Sequence, residues 1–348
     1  MGICLSSSYQ DKEESDGNIV YMVEDEGLCS NGEDGMRRLA SLYSQKGKKG
    51  PNQDSAILCQ GYGMEGVFCG VFDGHGRNGH MVSRLVRDYL PSILLNQYNA
   101  LMLADVGELT DSDDRSSVDD EDRSSPSTDL FDEWKEACIS GFKAMDRELK
   151  VHPDMDCSYS GTTAVTIIKQ GKDLIIANLG DSRAVLGTIS DDGCFLKAVQ
   201  LTTDLKPDLP EEAERIRKNN GRVFALRDEP RIHRVWLPND NYPGLAMARA
   251  FGDFQLKNYG IIATPQVSYH RLTSRDQFLV LATDGVWDVL SNDKVAEIVW
   301  STSCKEEASR AVVEAAVRAW RHKYPASKVD DCTAVCVFLK DWKQDLHI

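Results

Sequence analysis

Four aspartates that lie close to apolar, strand-like runs are the residues of this sequence best suited to binding a metal ion. Asp73 and Asp284 come directly after such runs, whereas Asp54 and Asp330 stand just before others. Runs of this kind, rich in β-branched and aromatic residues, are typical of β-strands. If the strands are antiparallel neighbours, all four carboxylates gather at one edge of the sheet.

Such a gathering of carboxylates requires a cation, because like charges a few ångströms apart otherwise hold protons. Oxygen ligands without paired His or Cys are typical of Mg²⁺ or Mn²⁺ sites. Asp-Gly pairs, as at Asp73 and Asp284, are also common in turns, so each pair alone is better explained as a hairpin or strand-end turn. The combination of four favours a Mg/Mn centre.

Composition excludes several other classes of protein. The chain of 348 residues is long enough for a substantial core, and its net charge of −15 argues against nucleic acid or bare anionic lipid as the main ligand. The sequence has no apolar stretch long enough for a membrane span and no secretory signal pattern. Its ten cysteines lack a Cys-x-x-Cys motif, which predicts thiols in a reducing compartment and no zinc site.

The N-terminus matches the pattern for N-myristoylation, with Gly2 following Met1 and Ser6 at the favoured position. One myristoyl chain binds membranes only marginally, and the acidic residues that follow exclude a polybasic second signal, so Cys4 is the expected second acylation site. A chance match to a short pattern is the alternative. Residues 1–38 are predicted to be a flexible, lipidated segment that places the protein at the cytoplasmic face of the plasma membrane, with a cytosolic pool.

The remainder is predicted to be one α+β domain over residues 39–342, followed by a short tail at 343–348. Apolar spacing predicts helices at about 79–95, 131–150, 210–219, 293–302 and 305–323. Strand patterns cover 161–168, 173–178 and 184–186, with a tight connection at 180–183. An acidic, Ser-rich insertion at about 104–129 is predicted to be disordered.

Six motifs then occur in a family-specific order. They are Asp73-Gly74-His75-Gly76, Gly161-Thr162-Thr163, Asn178 to Arg183, Ala248 to Asp253, Asp284 to Asp288, and Asp330 to Thr333. Over residues 40–340 the chain resembles the metal-dependent type 2C Ser/Thr protein phosphatases, and its N-terminus is most similar to a plant, N-acylated branch. The resemblance implies a central sandwich of two antiparallel β-sheets flanked by pairs of α-helices on both sides.

The resemblance also implies a role for each site residue. Asp73 would bridge two metal ions, with Gly74 offering its carbonyl, Asp54 contributing through water, and Asp284 and Asp330 holding one ion. Asp181 and Asp288 would help to hold a third, weaker ion. His75 would be the general acid that protonates the leaving alkoxide after attack by a metal-activated water.

Three positions depart from the family pattern, and Trp236 is a fourth residue with two possible roles. Lys49 stands where relatives often have an Arg that clamps the substrate phosphate, and it lacks the bidentate fork. Gln53 replaces a Glu, and Asp331 replaces an Asn, adding a charge that would tighten metal binding or repel phosphate. Trp236, in the segment where the family has a mobile flap, is expected to pack within the flap; partner docking is the alternative.

The sequence therefore predicts a Mg/Mn-dependent phosphatase acting on phosphoserine and phosphothreonine proteins, monomeric, with a kinase among the candidate partners. A non-catalytic phosphoprotein adaptor with the same fold and a phosphoesterase for small molecules remain alternatives. All of the metal-binding aspartates are present, which favours the enzyme over the adaptor.

Overall fold

The computed structural model describes residues 40–63, 66–110, 126–326 and 328–339. The predictions for the N-terminal segment with Gly2 and Cys4, for the C-terminal tail, and for the centre of the acidic insertion concern residues outside this described part.

Fifteen strands form three antiparallel sheets in the described residues. They are Ala40–Gln45 (β1), Asp54–Tyr62 (β2), Gly66–His75 (β3), Gly161–Thr162 (β4), Ala164–Gln170 (β5), Asp173–Leu179 (β6), Arg183–Ile189 (β7), Leu196–Gln200 (β8), Arg222–Ala225 (β9), His233–Leu237 (β10), Asp240–Leu245 (β11), Phe251–Gly252 (β12), Gln266–Arg271 (β13), Asp276–Ala282 (β14) and Cys332–Phe338 (β15). One sheet has the order β1, β15, β14, β7, β8, and a smaller one has β11, β10, β9. The largest has the order β12, β4, β3, β5, β6, β13, with β2 also paired to β3.

Helices cover both outer faces of the two large sheets. They are Gly79–Thr110 (α1), Pro126–Val151 (α2), Pro210–Lys218 (α3), Phe254–Lys257 (α4), Asp284–Trp287 (α5), Asn292–Ser301 (α6) and Ala308–Lys323 (α7), the last preceded by a 3₁₀ turn at Lys305–Glu307. No helix in the described ranges is long and apolar enough to cross a membrane.

The alternation of side chains along the central strands creates three packed layers. In β3, Cys69 and Val71 pack in the core between the two large sheets, whereas Phe68 and Phe72 pack in the core beneath α1 and α2. In β14, Leu281 belongs to the core between the sheets, and its neighbours in sequence face α6 and α7. Strands buried on both faces are continuously apolar, which is why these runs were recognisable in the sequence. The predicted sandwich, with a helix pair on each side, is confirmed.

Two local predictions need correction. Helix α1 continues well beyond residue 95 to Thr110, because Tyr98 and Leu101 extend its apolar stripe onto the core, and α2 begins at Pro126. Both ends of the segment 104–129 are therefore helical where disorder was predicted; residues 111–125 lie outside the described residues. The connection at 180–183 is tight, as predicted, and it leads from β6 in one large sheet to β7 in the other.

Candidate metal centre and active site

The hairpin of β2 and β3 positions the first two predicted metal ligands. Asp54 is the first residue of β2, and in the antiparallel register its partner is Asp73 near the end of β3. Residues directly opposite each other in such a ladder have Cβ atoms about 4.5–5.5 Å apart. Two carboxylates are thus held side by side by backbone pairing alone.

The second large sheet supplies the next pair. Asp284 begins α5 immediately after β14, and Asp330 lies just before β15, which pairs with β14. Thr283 connects the two pairs, because its hydroxyl donates a hydrogen bond of 2.8 Å to Asp54 Oδ2 across the sheets. The strand ends of both sheets therefore meet at one rim.

The rim carboxylates raise one another's pKa values. Burial raises the pKa of Asp73 well above its ordinary value, and repulsion from Asp284 and Asp54, followed by Asp330 and Asp181, raises it further. The pKa of Asp54 is likewise raised, first by burial and then by Asp331. For Asp284, burial together with Asp181 and Asp288 raises the pKa to about 7. The structure thus brings together six of the aspartates that the sequence predicted as ligands.

Two lysines contribute positive charge to this rim. The Lys49 ammonium forms a short ion pair with Asp330, and Lys206 Nζ lies 2.5 Å from Asp181 Oδ2. Burial alone would lower the pKa of Lys206, but Asp181 and Asp284 raise it overall, so the ammonium stays charged. In the described residues, no group of three or more His, Cys, Asp or Glu side chains forms a ready-made ion cage. Pairing of Asp330 and Asp181 with lysines is consistent with that finding.

The chemistry of the donors at the rim fits Mg²⁺ or Mn²⁺. The converging side chains are carboxylates, which are hard oxygen ligands. Asp181 is 1% exposed, and its Oδ1 has no hydrogen-bond partner in the described residues. A buried carboxylate oxygen without a donor is costly unless a cation is bound nearby.

His75 lies beside the rim and is held by a residue that the sequence analysis did not assign. Its Nε2 is 2.6 Å from Asp253 Oδ2, and the Asp253 side chain is only 1% exposed. Burial would lower the pKa of His75, but the Asp253 carboxylate outweighs burial and raises it. The other ring nitrogen, Nδ1, has no partner among the described residues. Asp253 thus fixes the ring by one nitrogen and leaves the second available.

The departures from the family pattern also have structural roles. Asp331 accepts hydrogen bonds from the backbone N–H groups of Gly47 (2.7 Å) and Gln53 (2.8 Å), and, after burial, its charge also raises the pKa of Asp54. Gln53 in turn donates from Nε2 to the carbonyl of Gly76, at 2.7 Å. Lys49 is more than half exposed, so it stands at the open side of the rim. Asp331 therefore holds the loop before β2, and its effect on metal or phosphate binding stays a prediction.

Trp236 packs within the flap, which is formed by β9, β10 and β11. Its ring is 4% exposed and stacks on Phe224 at a centroid distance of 5.2 Å, and its Nε1 donates to the Phe224 carbonyl. This geometry supports flap packing and leaves no exposed indole for partner docking.

Two functional residues, Asp253 and Lys206, were not assigned from the sequence. Asp253 is the last residue of the motif Ala248 to Asp253. Its left-handed backbone conformation (φ 48°) cannot be predicted from the residue type alone. Lys206 stands between short polar segments, and only the folded chain places it against Asp181. A polar residue that ends a motif was the available signal for Asp253.

The stability of the metal-free protein should fall as pH rises. Because the folded-state pKa of Asp284 is about 7, above its ordinary value, the protonated carboxyl stabilises the fold at low pH. That stabilisation is lost between about pH 4 and pH 7, and we expect a decrease of about 2–4 kcal/mol in the free energy of unfolding. Urea titrations of EDTA-treated protein at pH 5.5 and pH 8 would measure the part that is lost above pH 5.5, about 2 kcal/mol.

The matched variant Asp284→Asn should show a smaller loss over the same pH range, and Mn²⁺ should restore stability at pH 8 in the wild type. A wild-type stability that is equal at both pH values would contradict a strained carboxylate rim.

Comparison with known proteins agrees with this arrangement. The family model described as Protein phosphatase 2C matches residues 53–323. The chain is 58% identical to Probable protein phosphatase 2C 12 of Oryza sativa subsp. japonica, covering 98% of this chain and 92% of that protein. It is 51% identical to Probable protein phosphatase 2C 72 of Arabidopsis thaliana, covering 99% of each.

Among solved structures, the serine-threonine phosphatase 2C from Toxoplasma gondii superposes with a TM-score of 0.73 at 27% identity. The match covers 86% of this chain and 94% of that one. With the sandwich, the carboxylate rim and these matches in agreement, the chain belongs to the protein phosphatase 2C family and is a protein-serine/threonine phosphatase.

Proposed function

We propose that this enzyme hydrolyses phosphoserine and phosphothreonine on proteins at a Mg²⁺ or Mn²⁺ centre built on the carboxylate rim. The observation that carries the proposal is the convergence of mutually repelling, largely desolvated carboxylates beside the His75–Asp253 pair. The family is metal-dependent; the ligand assignment and the number of ions are specific to the proposal.

The residues proposed to hold the ions fall into two groups. Asp73, the Gly74 carbonyl, Asp284 and Asp330 would bind them directly, with Asp54 acting through water. Asp181 and Asp288 would serve a third, outer ion. When bound, Mg²⁺ or Mn²⁺ supplies Lewis acidity that lowers the pKa of water and offsets phosphate charge.

His75 is proposed to supply the proton that the leaving alkoxide requires. An alkoxide is strongly basic, so protonation in the transition state is valuable. Asp253 accepts a hydrogen bond from Nε2–H, which keeps the ring charged and oriented, and the buried Nδ1–H, which has no partner among the described residues, is then the donor. Asp253 is a positioning residue, since it acts through His75.

Lys49 is proposed to attract the substrate phosphate at the exposed edge of the rim. Its ammonium offers point charge without the planar fork of an arginine. We expect capture of phosphate with looser geometry, and therefore weaker substrate binding with chemistry retained.

Metal-dependent turnover tests the proposal directly. Purified protein should hydrolyse a phosphothreonine peptide in millimolar Mn²⁺ or Mg²⁺, and EDTA should abolish the activity. Asp73→Asn and Asp284→Asn should each lower kcat/KM at least about a hundredfold, because each removes charge that stabilises the transition state.

A matched control is Asp191→Asn, which removes an exposed aspartate just beyond the end of β7 that is opposite the rim. Folded protein without turnover under any metal would favour the adaptor. Turnover of nucleotides but not of the peptide would favour the small-molecule phosphoesterase.

The role of the His75–Asp253 pair can be tested by changing the leaving group. Asp253→Asn and His75→Asn should lower kcat on the phosphothreonine peptide by about 10²–10⁴-fold, the usual contribution of a general acid. Neither should lower kcat on p-nitrophenyl phosphate nearly as much, since that leaving group needs little protonation. Equal losses on both substrates would instead indicate a structural defect at the rim.

We further propose that N-acylation at Gly2 and Cys4 anchors the enzyme at the cytoplasmic face of the plasma membrane, with a cytosolic pool. The matching N-terminal pattern supports this proposal. Gly2→Ala should abolish incorporation of a myristate analogue and move the protein to the soluble fraction, because both chains are needed for stable anchoring. Cys4→Ser should retain myristate but bind membranes weakly; membrane retention of Gly2→Ala would contradict the anchor.

A further inference from the structure

A cleft of about 410 Å³ opens beside His75, between the end of β3 and the flap. One wall carries Arg77, Asp156 and Tyr159, and the other carries Arg234 and the segment from Tyr242 to Met247. Tyr159 and Tyr242 meet edge to face at a centroid distance of 4.8 Å, so the two walls are in contact at this point. The volume lies within the range of ordinary ligand sites.

The position of the cleft relative to His75 indicates what enters it. In the proposed reaction His75 protonates the leaving oxygen, and that oxygen belongs to the serine or threonine of the substrate chain. The substrate polypeptide must therefore lie on the His75 side of the phosphorus, opposite the attacking water. Since His75 and Asp253 both line the cleft, residues next to the phosphorylated one are the natural occupants.

Arg77 is the charged side chain of the cleft that has no close partner. It is exposed, and in the described part of the chain its guanidinium forms no hydrogen bond and no ion pair within 4 Å. The pKa of Asp156 is lowered mainly by the hydrogen bonds that it accepts from Ser158, and the charge of Arg77 lowers it a little further. Arg234, by contrast, is already paired with Glu229 and bonded to the Gly244 carbonyl.

The backbone before Arg77 is fixed. Gly76 has φ 80°, and a Cβ there would lie 2.2 Å from the Tyr159 carbonyl oxygen, so the chain is pressed against the opposite loop. Gln53 Nε2 also donates to the Gly76 carbonyl. The guanidinium thus projects from a constrained point two residues after His75, with its donors unused.

We propose that the cleft is a subsite for the residues flanking the phosphorylated serine or threonine, and that Arg77 favours a carboxylate side chain there. This inference rests on the proposed function, because the leaving-group direction comes from it. It makes Arg77 a specificity-determining residue.

The test uses phosphothreonine peptides that carry Glu, Gln or Lys at the two positions on each side of the phosphothreonine. Wild-type enzyme in Mn²⁺ should prefer the best Glu peptide over its Lys counterpart by about two- to fivefold in kcat/KM, as expected for an exposed ion pair. Arg77→Glu should invert the preference, and added salt should reduce it in both proteins. The matched control Arg231→Glu changes the same charge on the flap, at an exposed residue that does not line the cleft, and should keep the wild-type preference.

Equal kcat/KM for Glu and Lys peptides in the wild type, or an unchanged ratio in Arg77→Glu, would overturn the subsite. A uniform loss on every peptide and on p-nitrophenyl phosphate would also overturn it, since Arg77 would then bind the phosphoryl group itself. Failure of the proposed function is recognised separately. Wild-type protein that turns over no substrate, yet binds the Glu peptide more tightly than the Lys peptide by fluorescence anisotropy, would contradict the function and support the subsite.

Discussion

Repulsion among buried carboxylates is the constraint on which the rest of this structure depends. Asp54, Asp73 and Asp284 all have raised pKa values, chiefly because burial removes the water that would solvate their charges. Gathering such groups does not stabilise the fold, because each desolvated carboxylate costs free energy when it is ionised. The fold must therefore hold them together by interactions formed elsewhere. Bound cations would offset the free energy that carboxylate repulsion costs the metal-free protein.

The two sheets provide that support in different ways. Within the larger sheet, the β2–β3 ladder holds Asp54 opposite Asp73 through main-chain hydrogen bonds. Between the sheets, the Thr283 hydroxyl bonds to Asp54 at the rim. Within the other large sheet, Ser44 of β1 bonds to Thr333 of β15 at 2.7 Å. Beneath them lies the apolar core of the sandwich. The aspartates are thus fixed by their neighbours and contribute little to their own placement.

Much of the fold could be predicted because the central strands are buried on both faces and the helices are amphipathic. The rim could be predicted as well, since Asp54, Asp73, Asp284 and Asp330 all adjoin such strands. What could not be predicted depends on contacts between distant segments. Lys206 lies 25 residues from Asp181 and Asp253 lies 178 residues from His75, and neither pairing leaves a local pattern. The extent of α1 was missed because Tyr98 and Leu101 pack on the core beyond the predicted end of the helix.

Asp331 illustrates why a residue type alone did not reveal a role. Beside the predicted ligand Asp330 it suggested extra charge at the metal centre. The structure also directs its carboxylate to two backbone N–H groups of the loop before β2, while, after burial, its charge still raises the pKa of Asp54. An aspartate can act as a charge or as a hydrogen-bond acceptor, and only its neighbours decide which.

The loops that carry the rim aspartates are in direct main-chain contact. A Cβ at Gly285 would lie 1.8 Å from the Asp331 carbonyl oxygen, and the Lys48 amide donates to the Val329 carbonyl at 2.8 Å. Asp331 is also bonded to Gly47 and Gln53. The loop before β2, the start of α5 and the loop before β15 are therefore linked to one another. A regulator cannot withdraw a single aspartate without disturbing the others. Control of this enzyme is therefore best exerted from outside the rim, at the cleft between the end of β3 and the flap.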